Sequence, residues 1–101
     1  MLRITVACRS AGELVLSVDG WLVGAKVKIL EEEGTRQLEA TDRLVLDLTD
    51  LKSIDRDGIN LLRRWCGGRV VVRGGSLFVR TLLARHGVRV VDNSGASDVG
   101  E

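Results

Sequence analysis

Leu44-Val45-Leu46-Asp47-Leu48-Thr49-Asp50-Leu51-Lys52-Ser53-Ile54-Asp55-Arg56-Asp57-Gly58-Ile59-Asn60-Leu61-Leu62 is the stretch whose reading decides the fold. Residues 44–48 are an apolar run that suits a strand buried on both faces. A short crossing segment follows, then two carboxylates at a turn that opens a helix. Asp55 can accept hydrogen bonds from the orphan N–H groups of that helix, and Asp57 sits in the positive field of the same end. A strand feeding a helix through an acidic turn is a usual place for working residues in α/β proteins.

Upstream, Leu2, Ile4 and Val6 alternate with polar or small residues, as do Leu14, Leu16 and Val18. Ala11-Gly12 between them predicts a hairpin. Gly20-Trp21-Leu22 breaks the alternation and leads into a helix marked by Val23, Val27, Leu30, Gly34 and Leu38. Gly24 and Gly34 each weaken that helix by about 1 kcal/mol relative to alanine.

Downstream of the turn, Ile59, Leu62 and Cys66 fall on one helical face, flanked by Leu61 and Trp65. Gly67-Gly68 is expected to end this short helix, residues 58–66, as a glycine C-cap. Val70-Val71-Val72 reads as a short buried strand. Ser76 is the expected N-cap of a third helix whose buried side carries Val79, Leu82, Leu83 and His86, with Phe78 beside them. Val88, Val90 and Val91 give a last strand. The fold class is therefore α/β: a mostly parallel, mixed sheet of about five strands, with an opening antiparallel hairpin and about three helices. One domain over residues 1–91 and a polar tail over residues 92–101 are expected. Trp21-Leu22 and the turn at residues 55–58 should meet at the end of the sheet where loops after parallel strands gather.

The 101 residues carry a net charge of +1, which conceals a division. Residues 1–55 hold seven Lys/Arg and ten Asp/Glu, while residues 56–91 hold eight arginines against Asp57 alone. Such asymmetry points to a partner surface. No apolar run approaches the roughly 20 residues of a membrane helix, and no signal-peptide pattern opens the chain, so a cytoplasmic globular domain is expected. Cys8 and Cys66 have no metal-ligand partners nearby and read as reduced, buried or half-buried thiols.

Residues 46–59 resemble the signature of STAS domains, found in anti-sigma factor antagonists and in sulfate transporters. The family pattern is an apolar strand, Asp-Leu-Ser, a few residues, then Asp-Ser-Ser-Gly and an apolar residue. Gly20-Trp21-Leu22 is similar to the family's Gly-x-Leu, and residues 67–72 and 79–88 are similar to its final strand–helix–strand block. The resemblance spans residues 4–91. It implies a non-enzymatic domain that binds an anti-sigma factor or serine kinase-type regulatory protein in bacterial transcription signalling. The implied contact residues are Trp21, Asp55, Arg56, Asp57, Gly58, Ile59 and Arg63. In family antagonists the serine before the glycine is phosphorylated. Here Asp57 stands at that position and Arg56 at the serine before it, so the phosphoacceptor is missing. The short second helix and the glycines of the first are further departures from the family. Freestanding STAS domains also serve as accessory subunits of membrane lipid transporters, which is one alternative role; a nucleotide- or nucleic-acid-binding module is the other.

Other constellations imply less. Residues 53–64 echo a calcium loop, but position twelve is Arg64 rather than a bidentate glutamate, so no metal is expected. Asp55 and Asp57 have no histidine, cysteine or lysine set beside them for acid–base chemistry. They either cap the helix alone or also contact a partner. Gly74-Gly75-Ser76 lacks a Walker-type lysine and reads as a turn and cap; no cofactor is expected, and since some family members bind nucleotides, the resemblance leaves a weak, non-catalytic nucleotide site open here. Arg63, Arg64, Arg80 and Arg85 fall on adjacent helices, for a solvated or acidic-protein-facing surface before nucleic acid. Trp21 is either core packing or an interface anchor. A homodimer is compatible with all of this.

Overall fold

The alternating segments form the expected hairpin: β1 (Leu2–Ser10) runs antiparallel to β2 (Glu13–Leu22). The chain is described here from a computed structural model over residues 1–91; the expected polar tail, residues 92–101, lies outside the described residues. After the hairpin come α1 (Ala25–Leu38), β3 (Arg43–Asp47), β4 (Leu51–Ile54), α2 (Arg56–Trp65), β5 (Val70–Arg73), α3 (Leu77–Arg85) and β6 (Val90–Val91). The sheet order is β1-β2-β3-β5-β6, with β4 paired to β2. β2, β3, β5 and β6 are parallel neighbours in chain order, so right-handed crossovers place the three helices on one face. That face carries Leu14, Leu16, Val18, Leu44, Leu46, Val70 and Val72, which form one buried cluster with Leu30, Leu62 and Leu83 of the helices.

β4 is a sixth strand where the sequence reading had a crossing segment. β2 is ten residues long and β3 only five, so β3 pairs with residues 13–17 of β2 and leaves its far end unpaired. β4 takes up that end, with Gly20 opposite Leu51 and Leu22 opposite Ile54. Backbone donors and acceptors that β3 cannot reach are thus satisfied. The chain is steered out of β3 by Asp47, whose Oδ1 accepts from the Thr49 amide at 3.0 Å and hydroxyl at 2.6 Å. Arg73 lies 3.5 Å from the other carboxylate oxygen. Partial burial works against ionisation of Asp47, and the Thr49 donors with the Arg73 charge outweigh it, holding the carboxyl below its ordinary value.

Several local expectations are corrected. Gly20-Trp21-Leu22 does not end β2; the strand runs on to Leu22 through an irregularity in register. Gly24 is the N-cap of α1 rather than an interior residue, so it does not weaken the helix. Gly34 is interior and buried, and its missing side chain admits the Trp65 ring between α1 and α2. α2 starts at Arg56 and stops at Cys66, whose backbone is extended rather than glycine-capped. Phe78 is 64% exposed, and His86 is an exposed C-cap, because Val79 and Leu83 alone give α3 its buried ridge. Cys8 is exposed, Cys66 half-buried, and both are free. Arg64 turns toward Glu31 of α1 at 3.4 Å, which takes this one arginine away from the basic face expected of α2 and α3.

Gly20 is where β2 exchanges β3 for β4. Its φ of +93° is one that side chains rarely adopt, and a Cβ there would run into the Met1 carbonyl. Gly20→Ala is expected to lower unfolding free energy by about 1–3 kcal/mol in urea denaturation. An unchanged midpoint and slope would contradict this account of the strand exchange.

Candidate functional site

Parallel pairing of β2 with β4 brings the two strand ends side by side, with Leu22 in register with Ile54. Each end leads directly into a helix start. Gly24 caps α1 and Asp55 caps α2, so two helix N-termini converge at one point. The amide of Asp55 donates to the Leu22 carbonyl at 3.3 Å, continuing the ladder one step past the strands.

The Asp55 side chain ties the two helix starts together. Its Oδ1 accepts from the Gly58 amide at 2.9 Å, the expected cap. Its Oδ2 accepts from the Gly24 amide at 2.8 Å, thirty-one residues earlier in the chain. The second bond was not legible in the sequence, because nothing local marks Gly24 as its donor. The Gly24 and then the Gly58 hydrogen bonds hold the Asp55 carboxyl below its ordinary value. With both oxygens engaged, this carboxylate is an organiser of backbone rather than an acid or base.

The remaining predicted residues divide into those facing inward and those facing outward. Gly58 is buried, and a Cβ on it would stand 2.9 Å from the Leu22 carbonyl oxygen and 2.7 Å from Ile54. Ile59 is 5% exposed and belongs to the core cluster. These two hold the turn against the sheet and offer a partner little surface. Arg56 and Asp57 are exposed in the first turn of α2. Arg63 is exposed one to two turns on and donates to the Asn60 side chain at 2.7 Å. Trp21 is 53% exposed, opposite Ser53 of β4, with its amide donating to the Met1 carbonyl at 2.7 Å. The core-packing choice for Trp21 is thereby set aside. The expected meeting of Trp21-Leu22 with the acidic turn is found.

The other candidates stay apart from this site. Gly74 and Gly75 make the turn before Ser76, which caps α3 by accepting from the Val79 amide at 3.2 Å. A Cβ on Gly74 would come within 3.1 Å of an Asp47 carboxylate oxygen, the same carboxylate that pairs with Arg73. Among the described residues, no three His, Cys, Asp or Glu side chains gather as metal ligands, and no helix is long and apolar enough to cross a membrane.

No protein-family model matches the sequence. No curated protein matches it by sequence either. Solved structures do match its fold. The chain superposes on the anti-sigma factor antagonist SpoIIAA in its unphosphorylated form with a TM-score of 0.66, covering 92% of this chain and 91% of that one at 15% identity. This is the STAS fold. The order of strands and helices, the opening antiparallel hairpin and the helix that follows the acidic turn all follow that architecture.

The Asp55 bonds set a pH dependence. The folded carboxyl titrates below the unfolded value of about 3.9, so its stabilisation is fully present above about pH 4 and is lost as pH falls through the folded value. Asp55→Asn removes this titration and leaves one side-chain oxygen for two amides. The variant should lose about 1 kcal/mol at neutral pH and lose less stability than the parent on acidification. Urea midpoints at several pH values read both effects; parallel curves for the two proteins would contradict the assignment.

Proposed function

We propose that this STAS domain is a non-enzymatic bacterial regulatory protein that works by binding another protein, in the manner of an anti-sigma factor antagonist. The implied partner is an anti-sigma factor or serine kinase-type regulator in the cytoplasm. The observation that carries the reading is the convergence of two capped helix starts at Asp55, with Arg56, Asp57 and Trp21 displayed around it. A tryptophan more than half exposed beside two charged residues has the make-up of an interface anchor. Gly58 and Ile59 support the turn from below, and Arg63 extends the displayed face along α2.

Asp57 occupies the position at which family antagonists carry a phosphorylated serine. Two positive helix ends favour an anion there, and a phosphoserine would bring about −1.5 to −2 charge. Asp57 supplies one permanent negative charge with two acceptor oxygens. The proposed consequence is a turn fixed near the phosphorylated condition, with no phosphate transfer at this residue. Arg56 adds a cation that the family pattern lacks, and it would pair with an acid on the partner.

Calorimetry with a candidate anti-sigma factor or serine kinase-type regulator from the same organism tests the proposal. Asp57→Ser should change affinity by about 0.5–1.4 kcal/mol, up to about tenfold, and a cognate kinase should phosphorylate the serine variant but not the parent. Equal affinity of the parent and the serine variant, in both phosphorylation states, would remove the role given to Asp57. Co-purification with a membrane lipid transporter instead of a soluble regulator would move the domain to that class.

A further inference from the structure

α3 presents a second surface that the turn at Asp55 does not include. Val79 and Leu83 face the core, yet Leu77 and Phe78 are 75% and 64% exposed, the former with the greater share of its surface in solvent. Leu77, Thr81 and Arg85 follow one another at intervals of four, and Phe78 and Leu82 do the same alongside. Together these five residues line a shallow cleft of about 360 Å³. The cleft lies on a helix, so it offers side chains and no free strand edge.

The segment that carries the cleft has charge of one sign. No acidic residue occurs between Gly58 and Val91. Arg64, Arg69 and Arg73 are occupied by Glu31, by the Leu38 and Thr41 carbonyls, and by Asp47. Arg80, Arg85 and Arg89 are exposed and have no ion pair or side-chain hydrogen bond among the described residues. Two of these three cations lie on α3 itself, and Arg85 forms one end of the cleft.

We propose that α3 is a docking surface for an amphipathic helix with acidic flanks, carried by a second protein partner. Side-chain ridges spaced by four residues fit the groove of another helix. Leu77, Phe78 and Leu82 match its apolar stripe, and Arg80 and Arg85 match its acids. A second copy of α3 brings arginines and no acid, so it lacks the complementary charge. A bilayer requires a broad apolar face, and the apolar residues of this cleft are three, Leu77, Phe78 and Leu82, interspersed with Thr81 and Arg85. Five residues cover less than a standard interface, so the association is weak and reversible. The inference does not depend on the partner proposed for the Asp55 turn.

The test is a nitrogen-15 amide titration of the full chain with two synthetic helical peptides that share a leucine stripe and differ only in glutamate or lysine flanks. The glutamate peptide should shift the amides of residues 77–85 and bind at least about tenfold tighter than its lysine twin, with the difference shrinking as salt is added. Phe78→Ala, an exposed change that keeps the amide spectrum of the fold, should weaken that peptide about tenfold. Arg80→Glu with Arg85→Glu should reverse the preference. Equal affinity for the two peptides, or no shift on α3, overturns the proposal. So does Phe78-dependent capture by phosphatidylglycerol vesicles without peptide binding, which would make the surface a membrane contact. A dimer dissociated by Phe78→Ala would overturn it in favour of a second copy.

Discussion

One carboxylate accepting two backbone amides from different helices is the constraint on which the site depends. The first turns of α1 and α2 each leave N–H groups without intrahelical partners. Brought together by the parallel ends of β2 and β4, they form a positive corner that would be costly without an anion. Asp55 supplies it, bonding Gly24 at 2.8 Å and Gly58 at 2.9 Å. Each bond to a charged acceptor contributes about 1.5–3 kcal/mol in general, and exposure to water here lowers that. Their main effect is positional: the loop after β2 and the loop after β4 move as one surface.

That surface follows from a mismatch in strand length. Had β3 been long enough to pair with all of β2, the chain would leave the sheet elsewhere and Asp55 would not stand beside Gly24. Instead Asp47 draws Thr49 back, β4 occupies the vacated half of β2, and the strand ends coincide. Gly20 permits the exchange, and Gly58 permits the close approach of α2 to Leu22. The residues nearest the surface therefore have separate duties. Gly58 and Ile59 fix the backbone from inside, and Arg56, Asp57 and Trp21 face outward.

Much of this was legible in the sequence, where spacing and local capping carry the information. The hairpin, the strand read over residues 44–48 and observed over Arg43–Asp47, and the caps Asp55 and Ser76 each rest on an apolar pattern or a cap residue, and each is found. β4 was hidden because Leu51-Lys52-Ser53-Ile54 has too few residues for alternation to register, and its pairing partners lie more than thirty residues earlier in the chain. The Gly24–Asp55 bond was hidden for the same reason of distance. Phe78 and His86 were assigned to the core by hydrophobicity and helical spacing, but α3 is only nine residues long and crosses the sheet with one buried ridge. Burial there depends on how the helix is rolled, which periodicity alone leaves open over two turns. The inward placement of Ile59 was read correctly from its spacing with Leu62, although the family pattern counts it among contact residues.

The most direct measurement is amide hydrogen exchange at Gly24 and Gly58 in the parent and in Asp55→Ala. If Asp55 joins the two helix starts, both amides are protected in the parent, and both lose protection in the variant while Leu16 and Leu46 in the sheet keep theirs. A Gly24 amide that exchanges freely in the parent, or one whose protection is indifferent to Asp55, would contradict the account.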